Sequence, residues 1–323
     1  MPSLFVAVAD SVFPNLDPAR AVLSAIGADL QLAAQATPEE ILKIAGPADA
    51  LLVTYAKITA DMIGQMPRCR IISRFGIGVD NVDLDAATAA GIVVTKVPDY
   101  CIDEVSDHAM ALLLALARKI PGSSAQVHAG RWEMKAVVPI HRLRGRTLGL
   151  VGFGRIPQLV APKARAFGLR VIVYDPFVQA DVLARERVDQ VDFDELLAQS
   201  DYVSIHTPLL PQTRNLFSTE AFSKMKPGAL LVNTARGPIV DEQALARALD
   251  AGQLAGAALD VMPTEPPVGS PLLGRQNVII TPHTSFYSEE SLLELQRKAA
   301  EEVVAVLSGK PPRNPVNSVK LHA

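Results

Sequence analysis

Thr147-Leu148-Gly149-Leu150-Val151-Gly152-Phe153-Gly154-Arg155-Ile156-Pro157 reads as a buried strand that turns through two glycines into a helix. The first glycine permits a tight turn, and the second lets the backbone approach a pyrophosphate held at the helix N-terminus. Asp175 closes the next strand, Val171-Ile-Val-Tyr174, about 20 residues further on. An acid at that point accepts hydrogen bonds from both ribose hydroxyls of a dinucleotide and repels a 2′-phosphate. The stretch therefore predicts NAD rather than NADP, with Gly152, Gly154, Arg155, Ile156 and Asp175 as binding residues. A Gly turn in an ordinary βα unit is the alternative, which the strand before, the helix after and the spacing of Asp175 disfavour. The third glycine of the pattern is replaced by Pro157, tolerable in a first helical turn where its missing N–H has no partner. Pro162 falls inside the same helix and is expected to kink it.

Outward from this turn, short β-branched runs alternate with helical patterns. Leu4–Ala9, Ala50–Thr54, Arg70–Arg74 and Ile92–Thr95 are expected strands, with helices near 17–26, 38–46, 59–66 and 83–90. A long helix over Ile102–Lys119 follows. Then come strands at Thr147–Val151, Arg170–Tyr174, Asp201–His206, Ala229–Asn233, Gly256–Leu259 and Asn277–Ile280. Such alternation implies parallel sheets covered by helices, here two α/β domains in succession. The last helix, about Ser288–Leu307, has no strand after it and could pack back on the first domain, and Lys310–Ala323 is expected to be irregular.

The composition is that of a globular chain, with 49% hydrophobic and 20% charged residues over 323. A net charge of −3 argues against nucleic acid or an anionic membrane surface as the partner. The longest apolar run, Ala109–Ala117, is about half a membrane span. Cys69 and Cys101 could pair, although two reduced thiols in a cytoplasmic protein are the commoner case. No metal site is expected.

Reducing a 2-keto acid requires a group to bind its carboxylate, a group to polarise the keto oxygen and an acid to protonate it. Of six histidines, His108 sits in a helix and reads as packing, His128 and His141 lie in polar surroundings, and His322 is in the tail. His206 ends the strand Tyr202–Ile205 and, with Thr207 and Pro208, is expected to line the cofactor groove. His283, after Val278-Ile-Ile-Thr281-Pro282, is the better catalytic candidate, with a loop cap as the alternative. Arg236 follows the buried strand Leu231-Val-Asn233-Thr234-Ala235, where its fork suits a carboxylate in a cleft. Glu265, in Met262-Pro-Thr-Glu265-Pro-Pro267, could equally be a solvated loop charge.

These residues together resemble the D-isomer-specific 2-hydroxyacid dehydrogenase family. The matching stretches are Arg74-Phe-Gly-Ile-Gly-Val-Asp-Asn-Val-Asp83, Gly149–Gly154, His206–Pro208, Asn233–Gly237, Ala258–Val261 with Glu265, and Thr281–His283. The resemblance implies that Arg236 binds the substrate carboxylate and keto oxygen, that His283 is the acid/base, and that Glu265 pairs with it. It implies further that Asp260 orients the nicotinamide amide and that Gly76-Ile77-Gly78 cradle the substrate carboxylate, with Thr234 and Ala235 beside the cofactor. Arg74, Tyr55 and Lys57 could reach the substrate, although a surface loop is as good a reading of the last two. The implied fold is a Rossmann NAD-binding domain (101–285) inserted into a flavodoxin-like substrate domain (1–100 plus 286–323), both doubly wound and parallel. A homodimer is implied as well. Within the family, His283-Thr-Ser-Phe-Tyr-Ser-Glu289 and Tyr174-Asp-Pro176 look most like the D-3-phosphoglycerate dehydrogenase and C-terminal-binding-protein-like branch. The expected activity is reversible hydride transfer between NADH and a small 2-keto acid of the glyoxylate, hydroxypyruvate or 3-phosphohydroxypyruvate kind. The alternative is an NAD-sensing interaction module with little turnover.

Overall fold

The computed structural model describes residues 4–319. The chain divides into two compact units, Met1–Tyr100 with Ser288–Ala323, and Cys101–Tyr287. In the first, β1 (Phe5–Val8), β2 (Asp29–Leu32), β3 (Ala50–Val53), β4 (Ile71–Arg74) and β5 (Val93–Thr95) form a parallel sheet in the order β2-β1-β3-β4-β5. That is the flavodoxin-like order, which reverses between β1 and β3. The inner strands β3 and β4 are buried along their whole length, β3 as an unbroken apolar run, because helices cover both faces. β2 escapes a reading by apolar pattern: it is an edge strand in which Leu30 alone is buried.

The helix Glu289–Leu307 packs on β3, β4 and the helix Asp17–Leu23. A Ser288/Ser291 capping box starts it. At its far end the Arg70 guanidinium donates to the carbonyls of Val306 and Leu307, the unpaired acceptors of a helix C-terminus. The Ser73 hydroxyl, fully buried on β4, donates to the Ala299 carbonyl at 3.0 Å. Beyond this helix the chain is not merely irregular. The Lys96 N–H donates to the Asn314 carbonyl, the Val316 N–H to the Val94 carbonyl, and Asn317 Oδ1 accepts from the Val94 N–H. The segment is irregular, as expected, yet it is tied to β5, an edge strand whose open donors and acceptors it satisfies. Glu302, 3% exposed, anchors the approach by accepting from the Arg313 N–H and the Asn314 side chain. Residues 320–323 of the expected tail lie outside the described residues.

The second unit contains β6 (Thr147–Val151), β7 (Arg170–Tyr174), β8 (Asp189–Gln190), β9 (Tyr202–Ile205), β10 (Ala229–Asn233), β11 (Leu254–Leu259) and β12 (Val278–Ile280). Their order, β12-β11-β10-β9-β6-β7-β8, is that of a Rossmann sheet, reversing between β6 and β9. Hydrophobic clusters fill both faces of this sheet. The long helix closes at Ala117 rather than Lys119. Lys119 takes a left-handed φ of 53°, and a separate helix, Ile120–His128, begins with Pro121 in its first turn. The helix Arg155–Ala166 runs on through Pro162 as one element. Pro162 is exposed, so the carbonyl one turn back that loses its partner lies on the hydrated face. Among the described residues no helix is long and apolar enough to cross a membrane, and no cluster of His, Cys, Asp and Glu could hold a metal ion.

Candidate active site

At the reversal between β6 and β9, Gly152 has φ 91° and abuts the His206–Thr207 peptide. A Cβ there would stand 2.9 Å from the His206 carbonyl carbon and the Thr207 nitrogen. Only glycine accepts both the angle and that approach. Gly154 differs. A Cβ on it would meet nothing within 4 Å, so the space above the helix start is open. No side chain caps that helix, and its first turn holds no acid, only the exposed Arg155. Free N–H groups and a cation at a positive helix end make a seat for a pyrophosphate. Pro157 is buried at the third helical position, where it surrenders no intrahelical bond, and Ile156 is half-buried.

Asp175 Oδ2 accepts from the Phe153 N–H at 2.7 Å and Oδ1 from the Phe177 N–H at 2.8 Å. Each oxygen keeps a further lone pair, enough for two ribose hydroxyls. The carboxylate thus fixes the glycine turn while remaining able to receive a cofactor. Just past the end of β10 the Thr234 hydroxyl is buried without a hydrogen-bond partner, a polar group able to meet a ligand. These residues fit NAD. Asp175→Asn should weaken NADH binding about tenfold or more, the scale of a charge-assisted hydrogen bond, in a fluorescence titration. NADPH should gain relative to NADH in that variant, and an unchanged ratio would remove Asp175 from cofactor selection.

His206 is not available as an acid. Its Nε2 lies 2.8 Å from Ser204 Oγ, and burial lowers its pKa to about 3, so the ring is neutral near pH 7. Thr207 is half-buried and Pro208 exposed beside it.

The three residues expected to carry the chemistry sit on adjacent loops at the ends of β10, β11 and β12. His283 Nδ1 lies 2.8 Å from Glu265 Oε2, and Glu265 Oε1 accepts from the Met262 N–H at 2.9 Å. Burial alone would raise the Glu265 pKa. The hydrogen bond and charge of His283, the Met262 N–H and the Arg236 charge outweigh it and hold the carboxyl below its ordinary range. Glu265 is therefore not a free loop charge. Asn233 shapes the Arg236 turn, accepting from the Ala235 N–H and donating to the Arg236 carbonyl. Gly237 then lets this turn close on the Glu265 loop, since a Cβ there would stand 2.0 Å from the Met262 carbonyl carbon. Neither Asn233 nor Gly237 was singled out from the sequence, because their worth lies in contacts across two loops.

Asp260, 1% exposed, organises the His283 loop. Its carbonyl accepts from the His283 N–H, Oδ1 from Thr281 Oγ1 and the Thr284 N–H, and Oδ2 from the Ser285 N–H. The family resemblance aims this side chain at the nicotinamide amide; within the loop its carboxylate is hydrogen-bonded to Thr281, Thr284 and Ser285. The outcome is a His283 held at φ 54°, a left-handed conformation costing on the order of 1–3 kcal/mol outside glycine.

In the first unit, the sheet reversal falls at the ends of β1 and β3. Asp10 there accepts from the N–H groups of Thr54 and Tyr55 at 2.8 and 2.6 Å. Asn81 donates to the carbonyls of Thr54 and Ala56. These two residues, given no role from the sequence, present the loop holding exposed Tyr55 and Lys57. Arg74 is 8% exposed and lies over Gly76, where a Cβ would stand 1.2 Å from Arg74 Nη1; Gly76 has φ 148°. Ile77 and Gly78 follow, half-buried.

A model of the D-isomer specific 2-hydroxyacid dehydrogenase NAD-binding domain matches residues 110–285. The chain belongs to this family. Its second unit is the family's NAD-binding domain, and NAD is the cofactor. A D-3-phosphoglycerate dehydrogenase of Methanocaldococcus jannaschii is 40% identical over 298 residues, covering 92% of this chain and 56% of that protein. The chain thus spans about half the length of the curated relatives it matches. A Thermus thermophilus structure is 36% identical with a TM-score of 0.87, covering 97% of this chain and 100% of that one. A D-lactate dehydrogenase of Aquifex aeolicus, solved with NAD and lactic acid, is 28% identical with a TM-score of 0.86 and covers 97% and 99%.

Proposed function

We propose that the protein catalyses reversible, NAD-linked reduction of a small 2-keto acid to the D-2-hydroxy acid. The observation that carries this is the His283–Glu265 pair at 2.8 Å beside the Arg236 turn. The Glu265 carboxylate holds a proton on His283 Nδ1, leaving Nε2 to give a proton to the keto oxygen or to take it back. Arg236 binds the substrate carboxylate and draws charge from the carbonyl. NAD, when bound, supplies or accepts the hydride. The open helix N-terminus, Asp175 and Thr234 hold it, and Arg74, Tyr55, Lys57 and Gly76–Gly78 are assigned to the substrate side of the first unit. Glyoxylate, hydroxypyruvate and 3-phosphohydroxypyruvate are the acids to try. Purified protein should oxidise NADH with at least one of them. Absence of turnover on the whole panel, with assembly that changes on adding NADH, would favour an interaction module instead.

We also assign a homodimer of the cytoplasm. The segment 120–138 exposes Ile120, Val127, Trp132 (87%), Met134 (76%) and Val138, an apolar concentration suited to a second copy. Cys69 and Cys101 form no disulfide and are buried, as a reducing compartment allows, and burial pushes the Cys69 thiol up to about 12. Light scattering should give about twice the 34.5 kDa chain mass, and a monomer at micromolar concentration would remove this assignment.

A further inference from the structure

The helix Ile102–Ala117 directs one group at the His283 loop from beneath. His108 Nε2 lies 3.1 Å from Thr281 Oγ1 and 3.6 Å from Asp260 Oδ1. Thr281 Oγ1 is itself 2.6 Å from that same aspartate oxygen. Burial raises the Asp260 pKa, but the hydrogen bonds from Ser285, Thr281 and the Thr284 N–H overcome it and keep the group ionised, hence an acceptor only. At 2.6 Å two oxygens without a proton between them repel, so the single Thr281 proton points at the carboxylate. The Thr281 oxygen is then left to accept, and His108 must carry its proton on Nε2.

We infer that His108 is a positioning residue, whose Nε2–H fixes Thr281 and, through it, the Asp260 carboxylate that holds the His283 loop. The chain runs from His108 to Thr281 to Asp260, and Asp260 grips the loop at both ends. Its carbonyl takes the His283 N–H at 2.8 Å, and its carboxylate takes those of Thr284 and Ser285. Without the His108 proton the Thr281 hydroxyl keeps only its bond to the carboxylate, its rotamer is less firmly fixed, and the strained φ of His283 loses part of its support. A histidine on this helix face reads as packing in the sequence; the structure gives it a directional bond instead.

The inference rests on the dehydrogenase reading only where it concerns rate. In protein labelled with 15N-histidine, long-range 1H–15N correlation should show His108 protonated at Nε2, the signal being assigned by its loss in His108→Gln. A ring without that proton overturns the inference. In steady state, His108→Leu should lower kcat about ten- to hundredfold, the cost of a displaced acid. KM for NADH and for the acid should change less than about threefold. His108→Gln, which returns an N–H donor near the same point, should recover most of the rate. Equal losses in both variants, or none in His108→Leu, overturn it. Should the unaltered protein reduce no 2-keto acid, the dehydrogenase reading fails by itself. The Nε2 proton, and His283 ring signals displaced in His108→Leu and restored in His108→Gln, then decide the matter.

Discussion

Arg236→Ala is expected to lower kcat/KM for 2-keto-acid reduction by about 10³-fold or more, at the upper end for loss of an electrostatic stabiliser. NADH binding should stay within a few-fold. The split follows from where Arg236 stands. Its turn is shaped by Asn233 and closes on the Glu265 loop through Gly237, whereas the seat proposed for the cofactor is the separate turn at Gly152–Gly154. The guanidinium is asked to bind a carboxylate in two places at once and to draw charge from the adjacent carbonyl. Arg236→Lys should therefore recover little, because an ammonium is a point charge without the planar fork. Stopped-flow reduction with NADH held saturating separates the two effects. An Arg236→Ala enzyme that retains the original rate would end the assignment of this residue, and an enzyme that loses NADH as well would mean that the turn had collapsed.

His283→Asn should cost about 10²–10⁴-fold in kcat, the usual worth of a general acid. Asparagine is the informative replacement because its amide can still face Glu265 while nothing remains at the Nε2 position. The variant should fold, bind NADH and lose the pH dependence of the rate across neutrality. The acid side of the profile can be assigned by sign. Glu265 has a folded-state pKa below its ordinary value, so the stabilisation it lends is complete above the ordinary carboxylate range and is lost only as pH falls through the depressed value. The pair with His283 consequently persists well into mildly acidic solution. Glu265→Gln removes the carboxylate that holds the proton on His283 Nδ1 and orients the ring, so kcat for reduction should fall about tenfold or more. An unchanged rate would mean that Glu265 does not act on His283.

The strands that carry the fold were legible because both sheets are parallel and buried. Thr147–Val151 and Ala229–Asn233 are buried throughout and mostly apolar, and the structure begins and ends them where the sequence does. β2 and β8 were not legible, being edge strands with polar sequences, and neither was the helix Ile120–His128, which buries no residue. At the site, local motifs announced Gly152, Asp175, Arg236 and His283. What positions them was hidden. Gly237 matters because of Met262, Asp10 because of Thr54, and His108 because of Thr281, each a contact between segments far apart in sequence. Asp260 was legible by its place, whereas its bonds to Thr284 and Ser285 were not.

The first sheet is finished only by the last part of the chain, the helix Glu289–Leu307 and the segment that runs along β5. On a translating ribosome this imposes an order. The strands β1 to β5 emerge first, yet must wait while residues 101–287 are made, roughly ten to forty seconds at ordinary elongation rates. Through that interval β3 and β4 lack the cover of Glu289–Leu307 and β5 has a bare edge, a state open to chaperones and to pairing with neighbouring nascent chains. The inserted unit, continuous in the chain, has no such delay. Synthesis therefore delivers a finished cofactor domain first and a half-built companion second, and loss of the final thirty or so residues would strand the protein at that stage.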